Sequence, residues 1–307
     1  MSEATRQQPS TARLTEVADG VFAYVQPHGG WCVNNAALVV SRDGSVLVDT
    51  AATEARARRL RAAILEVAPA APRILVNTHF HGDHTFGNFV FPEAVVVGHA
   101  DARTEMAAAG LHLTRLWPDV AWGDLDLALP VITYRDRITL HVGDIRAELI
   151  HFGPAHTTND TVVWLPEREV LITGDLVMSG VTPFVPMGSV SGTLAALERM
   201  RALGARTIIT GHGPPTGPEV FDVTANYLHW IRDLAREGIA AGLTPLQVAR
   251  ESDRTAFAHL LDSERLVPNL HRAFAEEQGA APGAALDIGA VFAEMVEFHG
   301  RLPACDA

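Results

Sequence analysis

Short apolar runs bounded by glycine, proline or aspartate recur through the first two thirds of the chain. That pattern predicts strands, and helices where the apolar spacing lengthens to three or four residues. Residues 21–25, 37–40 and 45–49 read as short strands, with Asp43-Gly44 as a hairpin turn. Residues 54–67 read as a helix stopped by Pro69. A strand is expected over 74–78, another over 95–97, and a helix over 101–109 ending at Gly110. Strands and turns alternate between 132 and 152. Residues 162–165 and 170–173 form a second hairpin pair, 193–203 a helix, and 207–210 a last strand. Beyond Pro218 the pattern is helical: 220–237, a start at Thr244-Pro245-Leu246-Gln247, then 263–278 and 284–300 across the small-residue linker 279–283. Thr244 suits the cap, Pro245 the first helical position, and Gln247 closes a capping box. We therefore expect an α/β domain over 1–218, its first 13 residues flexible. Residues 219–307 would be a helical C-terminal extension packed on it, roofing a cleft or serving a homodimer contact.

The chemistry concentrates in one stretch. His79-Phe80-His81-Gly82-Asp83-His84 follows the apolar run 73–78. Three imidazoles and a carboxylate in six residues have no use in a packed core. In extended chain, His79 and His81 point to one side and can grip one ion. Asp83 and His84, past the turn at Gly82, can reach a second. Three further candidates lie beside glycines near strand ends: His156, Asp175 and His212. Imidazole suits zinc, and three or four N/O ligands with one position left for water is a catalytic arrangement.

The pattern His-x-His-x-Asp-His, then a distant His, Asp and His, resembles the metallo-β-lactamase superfamily over roughly residues 14–230. The resemblance implies the αββα four-layer sandwich, with the metals at one edge. It implies that His79, His81 and His156 hold one ion, that Asp83, His84 and His212 hold a second, and that Asp175 bridges them. Paired ions about 3.5–4 Å apart clamp a shared water and lower its pKa towards about 7. Two Zn2+ per chain is the expected complement, with iron or manganese left open. Asp175 stands where one lactamase group has cysteine, Thr85 where another has histidine, and His81 where the flavin-linked di-iron members have glutamate. Those departures point to the branch of thioesterases and lactonases. A single-iron dioxygenase branch shares much of the motif and stays open on ligands alone.

Composition changes the picture only by exclusion. The 307 residues are 48% apolar and 20% charged, ordinary for a globular core. Cys32 and Cys305 offer no disulfide framework. No run approaches the ~20 apolar residues of a membrane span, and residues 1–15 lack the apolar region of a secretory signal. A cytoplasmic protein is expected. The net charge of −12 argues against a nucleic-acid partner. Every basic residue is arginine, and the one local cluster is Arg56, Arg58, Arg59 and Arg61. It reads as a solvated helix face, or as a docking patch for an acidic carrier protein.

Aromatic residues in loops suggest the substrate. Trp31 follows Gly29 and Gly30, which would let its loop move over the metals. Trp117, Trp122 and Phe184 fall in other loops. Such residues suit a planar, mostly apolar ligand. Gly30-Trp31-Cys32-Val33-Asn34-Asn35, residues 77–84 and residues 177–184 together resemble the second-ring cyclases of aromatic polyketide pathways, actinorhodin type. That likeness implies a di-zinc cyclase/thioesterase acting on an acyl-carrier-bound bicyclic polyketide. It would close a ring by an aldol reaction and release the acid by thioester hydrolysis with a metal-activated hydroxide. The same hydroxide, with the catalytic candidate Asp83 oriented beside it, would act as the base. The alternative is a general zinc hydrolase of lactones, lactams or small thioesters.

Overall fold

The computed structural model describes residues 12–27 and 29–307. Of the segment expected to be flexible, residues 1–11 lie outside the described residues, and Arg13 already begins a strand. Strands β1 (Arg13–Ala18), β2 (Val21–Val25), β3 (Ala36–Ser41), β4 (Gly44–Val48), β5 (Ile74–Val76), β6 (Val95–His99) and β7 (Ile132–Tyr134) form a seven-stranded sheet in that order. It is antiparallel as far as β4 and parallel from β4 to β7. Strands β8 (Arg137–Val142), β9 (Ile145–His151), β10 (Thr161–Leu165), β11 (Val170–Met178) and β12 (Thr207–His212) form the second sheet, ordered β12-β11-β10-β9-β8, with β11 and β12 parallel. Helices α1 (Glu54–Val67), α2 (Gly82–Thr85), α3 (Ala100–Ala109), α4 (His112–Leu116), α5 (Val190–Arg201), α6 (Glu219–Ala241), α7 (Pro245–Glu251), α8 (Leu266–Glu277) and α9 (Ile288–His299) complete the chain.

The two-residue period of each strand builds the layers. In β3, Ala37 and Val39 enter the core between the sheets, while Leu38 turns outward to a second core. In β4, Val46 and Val48 go inward and Leu47 outward. From the other sheet, Val163 and Leu165 of β10 and Ile172 of β11 fill the same inner layer. Helix α1 covers the outer face of the first sheet with Leu60 and Ile64, both fully buried. Each such side chain contributes about 1.5–3 kcal/mol by leaving water. Outside the second sheet, Val162, Trp164 and Leu171 meet α5, α6 and α8 in one large core. The molecule is thus an α/β sandwich with helices on both outer faces, plus a helical C-terminal region. That large core draws residues from Trp31 to Met295, so the C-terminal helices share it with the sheets.

No helix among the described residues is long and apolar enough to cross a membrane. The arginine cluster is largely engaged within the protein. Arg58 pairs with Glu54 at 2.7 Å, Arg61 with Glu93 at 2.6 Å, and Arg56 binds Gln26 Oε1 at 2.7 Å and the Asp306 carbonyl.

Candidate metal centre and cavity

Loops at one end of the sheets bring together the candidate ligands of the sequence. His79 and His81 lie between β5 and α2, and Asp83 and His84 lie within α2. His156 stands in the loop between β9 and β10, and His212 closes β12. Asp175 departs from expectation: it sits inside β11, not at a strand end. The reason is a ladder irregularity, because the β11–β12 register shifts on both sides of Gly174, whose φ is +53°. The bulge turns Asp175 out of the sheet. Gly211, opposite, has no side chain because a Cβ there would overlap Asp175 Oδ1.

The side chains form two buried groups, His79, His81, His156 and Asp175, then Asp83, His84 and His212, each able to hold an ion. In the first, His81 Nδ1 lies 3.0 Å from His79 Nε2 and 2.9 Å from His156 Nε2. In the second, Asp83 Oδ2 lies 3.4 Å from His212 Nε2 and 3.9 Å from His84 Nε2. Asp175 reaches both groups. Its Oδ2 is 3.5 Å from His156 Nε2 and 3.3 Å from His212 Nε2, and its Oδ1 is 3.1 Å from His84 Nε2.

The outer ring nitrogens are fixed from behind. His84 Nδ1 contacts Asp49 Oδ2 at 2.8 Å, His212 Nδ1 the Gly29 carbonyl at 2.9 Å, and His156 Nδ1 the Phe184 carbonyl. An imidazole whose Nδ1–H donates outward presents the Nε2 lone pair inward, where it can ligate a metal. The fit to a metal is visible in the donors themselves. His84 Nε2 and Asp175 Oδ1 are buried and, although 3.1 Å apart, make no well-directed hydrogen bond among the described residues. Buried polar atoms are rarely left so, and a shared cation satisfies both.

The electrostatics agree. Burial, then neighbouring imidazoles, hold His79 and His81 well below the usual range, and burial takes His156 down to about 4. These three are neutral and ready to ligate. Burial also acts on His212, but Asp175 and Asp83 outweigh it and hold that imidazole up at about 9. The same carboxylates, with Asp49, hold His84 well above its ordinary value. The carboxylate end of the site draws in positive charge.

A cavity of about 400 Å³ opens from these residues, within the ~300–1,000 Å³ range of small-molecule sites. His81, Asp83, His156, Asp175 and His212 face it on one side, and Trp31, Trp117 and Phe184 on another. Trp31 packs against Trp117 and Phe184, with ring centroids 5.8 and 5.2 Å away. Trp122 does not reach the cavity. Its indole donates to the Trp117 carbonyl at 2.9 Å and its ring stands edge-on to Phe86, so it supports Trp117 from behind. The Trp31 loop makes two tertiary contacts. Gly29 lies against the Gly213 backbone, and Trp31 Nε1 donates to the buried Glu264 Oε1 at 2.7 Å. His28 lies outside the described residues.

Several functional positions escaped the sequence. Asp49 accepts the Thr78 amide at 2.8 Å and the Thr78 hydroxyl at 2.7 Å while holding His84. Asp160 accepts the Thr157 amide at 2.9 Å and the Ala155 amide at 3.2 Å, shaping the loop that carries His156, and burial pushes its carboxyl up to about 7. Arg265 lies over the Trp31 ring at 4.3 Å and reaches the cavity wall, as do Ile288, Gly289 and Phe292. Cys32 and Cys305, remote in sequence, are neighbours here, and burial, with Cys305 beside it, pushes the Cys32 thiol well up. An acid following an apolar run was the available signal for Asp49. The C-terminal residues carried none, because long-range packing alone brings them in.

The family model for the metallo-beta-lactamase superfamily matches residues 29–212. Metallo-beta-lactamase type 2 of Bacteroides fragilis is 23% identical over 220 residues, covering 69% of this chain and 83% of that protein. Acyl-coenzyme A thioesterase MBLAC2 of Homo sapiens is 26% identical over 182 residues, covering 53% of this chain and 64% of that protein. Among solved structures, a metallo-beta-lactamase from Pontibacter korlensis shares the fold, with a TM-score of 0.61 and 20% identity over 71% of this chain and 99% of its own.

Proposed function

The chain belongs to the metallo-beta-lactamase superfamily, and from that premise we propose that it is a di-zinc thioesterase for aromatic acyl groups, of the cyclase/thioesterase kind that works on bicyclic polyketide intermediates. The observation that carries this reading is the union of the two His/Asp groups with an aromatic-walled cavity. The acyl-coenzyme A thioesterase relative supports cleavage of a thioester.

His79, His81 and His156 would hold one ion, Asp83, His84 and His212 the other, and Asp175 would span both. When bound, a pair of divalent cations polarises a carbonyl oxygen and lowers the pKa of a shared water. The protein's own groups do the rest. Trp31, Trp117 and Phe184 bind the flat acyl group and exclude water from around it. Asp83 turns Oδ2 to His212 and His84, and its carboxylate would take a proton from the attacking water. In hydrolysis the water oxygen bonds to the acyl carbon, the carbon–sulfur bond breaks, and a proton passes to the departing thiolate. In ring closure, the same carboxylate would take a proton from the carbon that attacks a ketone, and the ketone oxygen would gain one. The acyl group would arrive on an acyl carrier protein or a small thiol.

Release of free thiol from a 2-naphthoyl thioester tests the reading. Asp83→Ala is expected to lower kcat/KM by about 10²–10⁴-fold, the usual worth of a positioned acid–base group, with ion content read in parallel by mass spectrometry. A wild-type protein that holds two ions yet releases no thiol from any aryl thioester would sink it, and lactones and lactams would be the next substrates.

A further inference from the structure

One wall of the cavity belongs to the C-terminal helix α9. Ile288, Gly289 and Phe292 face the space. The Phe292 ring stands edge-on to Trp31 and Phe184, with centroids 6.0 and 6.1 Å away. Gly289 is the second residue of this twelve-residue helix, whose start is capped by Asp287 accepting the Ala290 amide at 3.0 Å. Glycine is the poorest helix former after proline, and nothing in the backbone asks for it here. Gly289 is not among the glycines with positive φ. A Cβ built on it would meet a single atom, Asp287 Oδ1, at an ordinary 3.4 Å. Gly211 is the contrast, since its missing side chain is demanded by Asp175. Gly289 is itself exposed and lines the cavity, so open space lies beside it where a side chain would stand.

We propose that α9 is the size-selecting wall of this cavity, with Gly289 leaving room for an acyl group of two or more fused aromatic rings and Phe292 offering its ring edge to that group. The inference rests on the reading of the cavity as an acyl site and assigns its selectivity to a helix that carries none of the candidate metal ligands. A Leu side chain at position 289 would project into the space a second ring needs, while an acetyl group would pass beneath it.

The test uses the metal-loaded protein, acetyl and 2-naphthoyl thioesters of one thiol, and calorimetric binding of 2-naphthoate. In Gly289→Leu the ratio of kcat/KM for naphthoyl over acetyl is expected to fall by about tenfold or more, and the Kd for 2-naphthoate to rise by a similar factor, the scale on which pocket walls discriminate by size. Gly289→Ala should show the same changes at about threefold, and it carries the test if the Leu variant does not fold. A ratio and a Kd that both stay within about twofold in a folded Leu variant would overturn the proposal, as would failure of 2-naphthoate to bind the wild type. Naphthoate that binds, and binds more weakly in the variants, alongside thioesters that the wild type leaves intact, would sink the thioesterase reading and keep the wall.

Discussion

Asp49 holds three groups at once, the amide and hydroxyl of Thr78 and the Nδ1 of His84, and is itself buried away from the cavity. Its φ of 60° is unusual for a residue with a side chain, and the hydrogen bonds are what keep it there. Partners of this kind fix ligand orientation and basicity, and losing one weakens metal affinity by about 10–100-fold. Asp49→Asn is therefore expected to lose ions on dialysis against a chelator at concentrations the wild type withstands, as metal content would show. At this scale the sequence was legible where unlike residues crowd together. His79 to His84 spelled out a site because no core needs such density. Asp49 and Asp160 were not legible, since a single acid at the end or the start of an apolar run is ordinary and its meaning comes from what folds against it. Trp122 misled for the complementary reason: an aromatic residue near a site is as useful propping a wall as forming one.

Elements announced themselves when their ends carried local chemistry. Helix α7 begins at Thr244, whose side chain accepts the Gln247 amide at 3.3 Å, while Gln247 Oε1 accepts the Thr244 amide at 2.8 Å. This box was readable in four residues. Thr244→Ala should cost about 1 kcal/mol of stability, measured as a lower urea midpoint with an unchanged slope, and should leave metal content intact. A loss several times larger would mean that α7 supports more than its own first turn. Helix α1 was equally plain, from Thr53 accepting the Arg56 amide to the stop at Ala68. The strand β1 and the short helices α2 and α4 were not foreseen as elements. A single helical turn has no apolar period to read, and β1, with mostly exposed or half-buried residues, forms by pairing with β2. Strand β11 ran past its expected end because pairing with β12 resumes beyond the bulge at Gly174.

Across the whole molecule, the sheets are joined near the site by a stack of imidazoles. His99, ending β6 of the first sheet, lies 4.1 Å from His151, ending β9 of the second, with the rings 17° from parallel. Burial, then the neighbouring His99, depresses the His151 pKa. A histidine depressed in the fold resists protonation there more than in the unfolded chain, so its contribution is full above the ordinary value near 6.5 and is lost as pH falls below it. The melting temperature of the metal-loaded protein should therefore decline between about pH 7 and pH 5.5, and His151→Gln should flatten that decline. An unchanged slope would remove the stack from the account. The layered architecture itself was legible from strand periodicity. The large core that ties residues near 31 to those near 295 was not, because sequence separation hides it. That core has a hereditary consequence. Every candidate ligand is encoded before codon 213, while Arg265, Ile288, Gly289 and Phe292 are encoded after codon 263. The gene thus writes the candidate ligands in one stretch and one wall of the cavity in another. A single crossover between them would exchange that wall and keep every candidate ligand encoded, provided the new helices still filled the shared core.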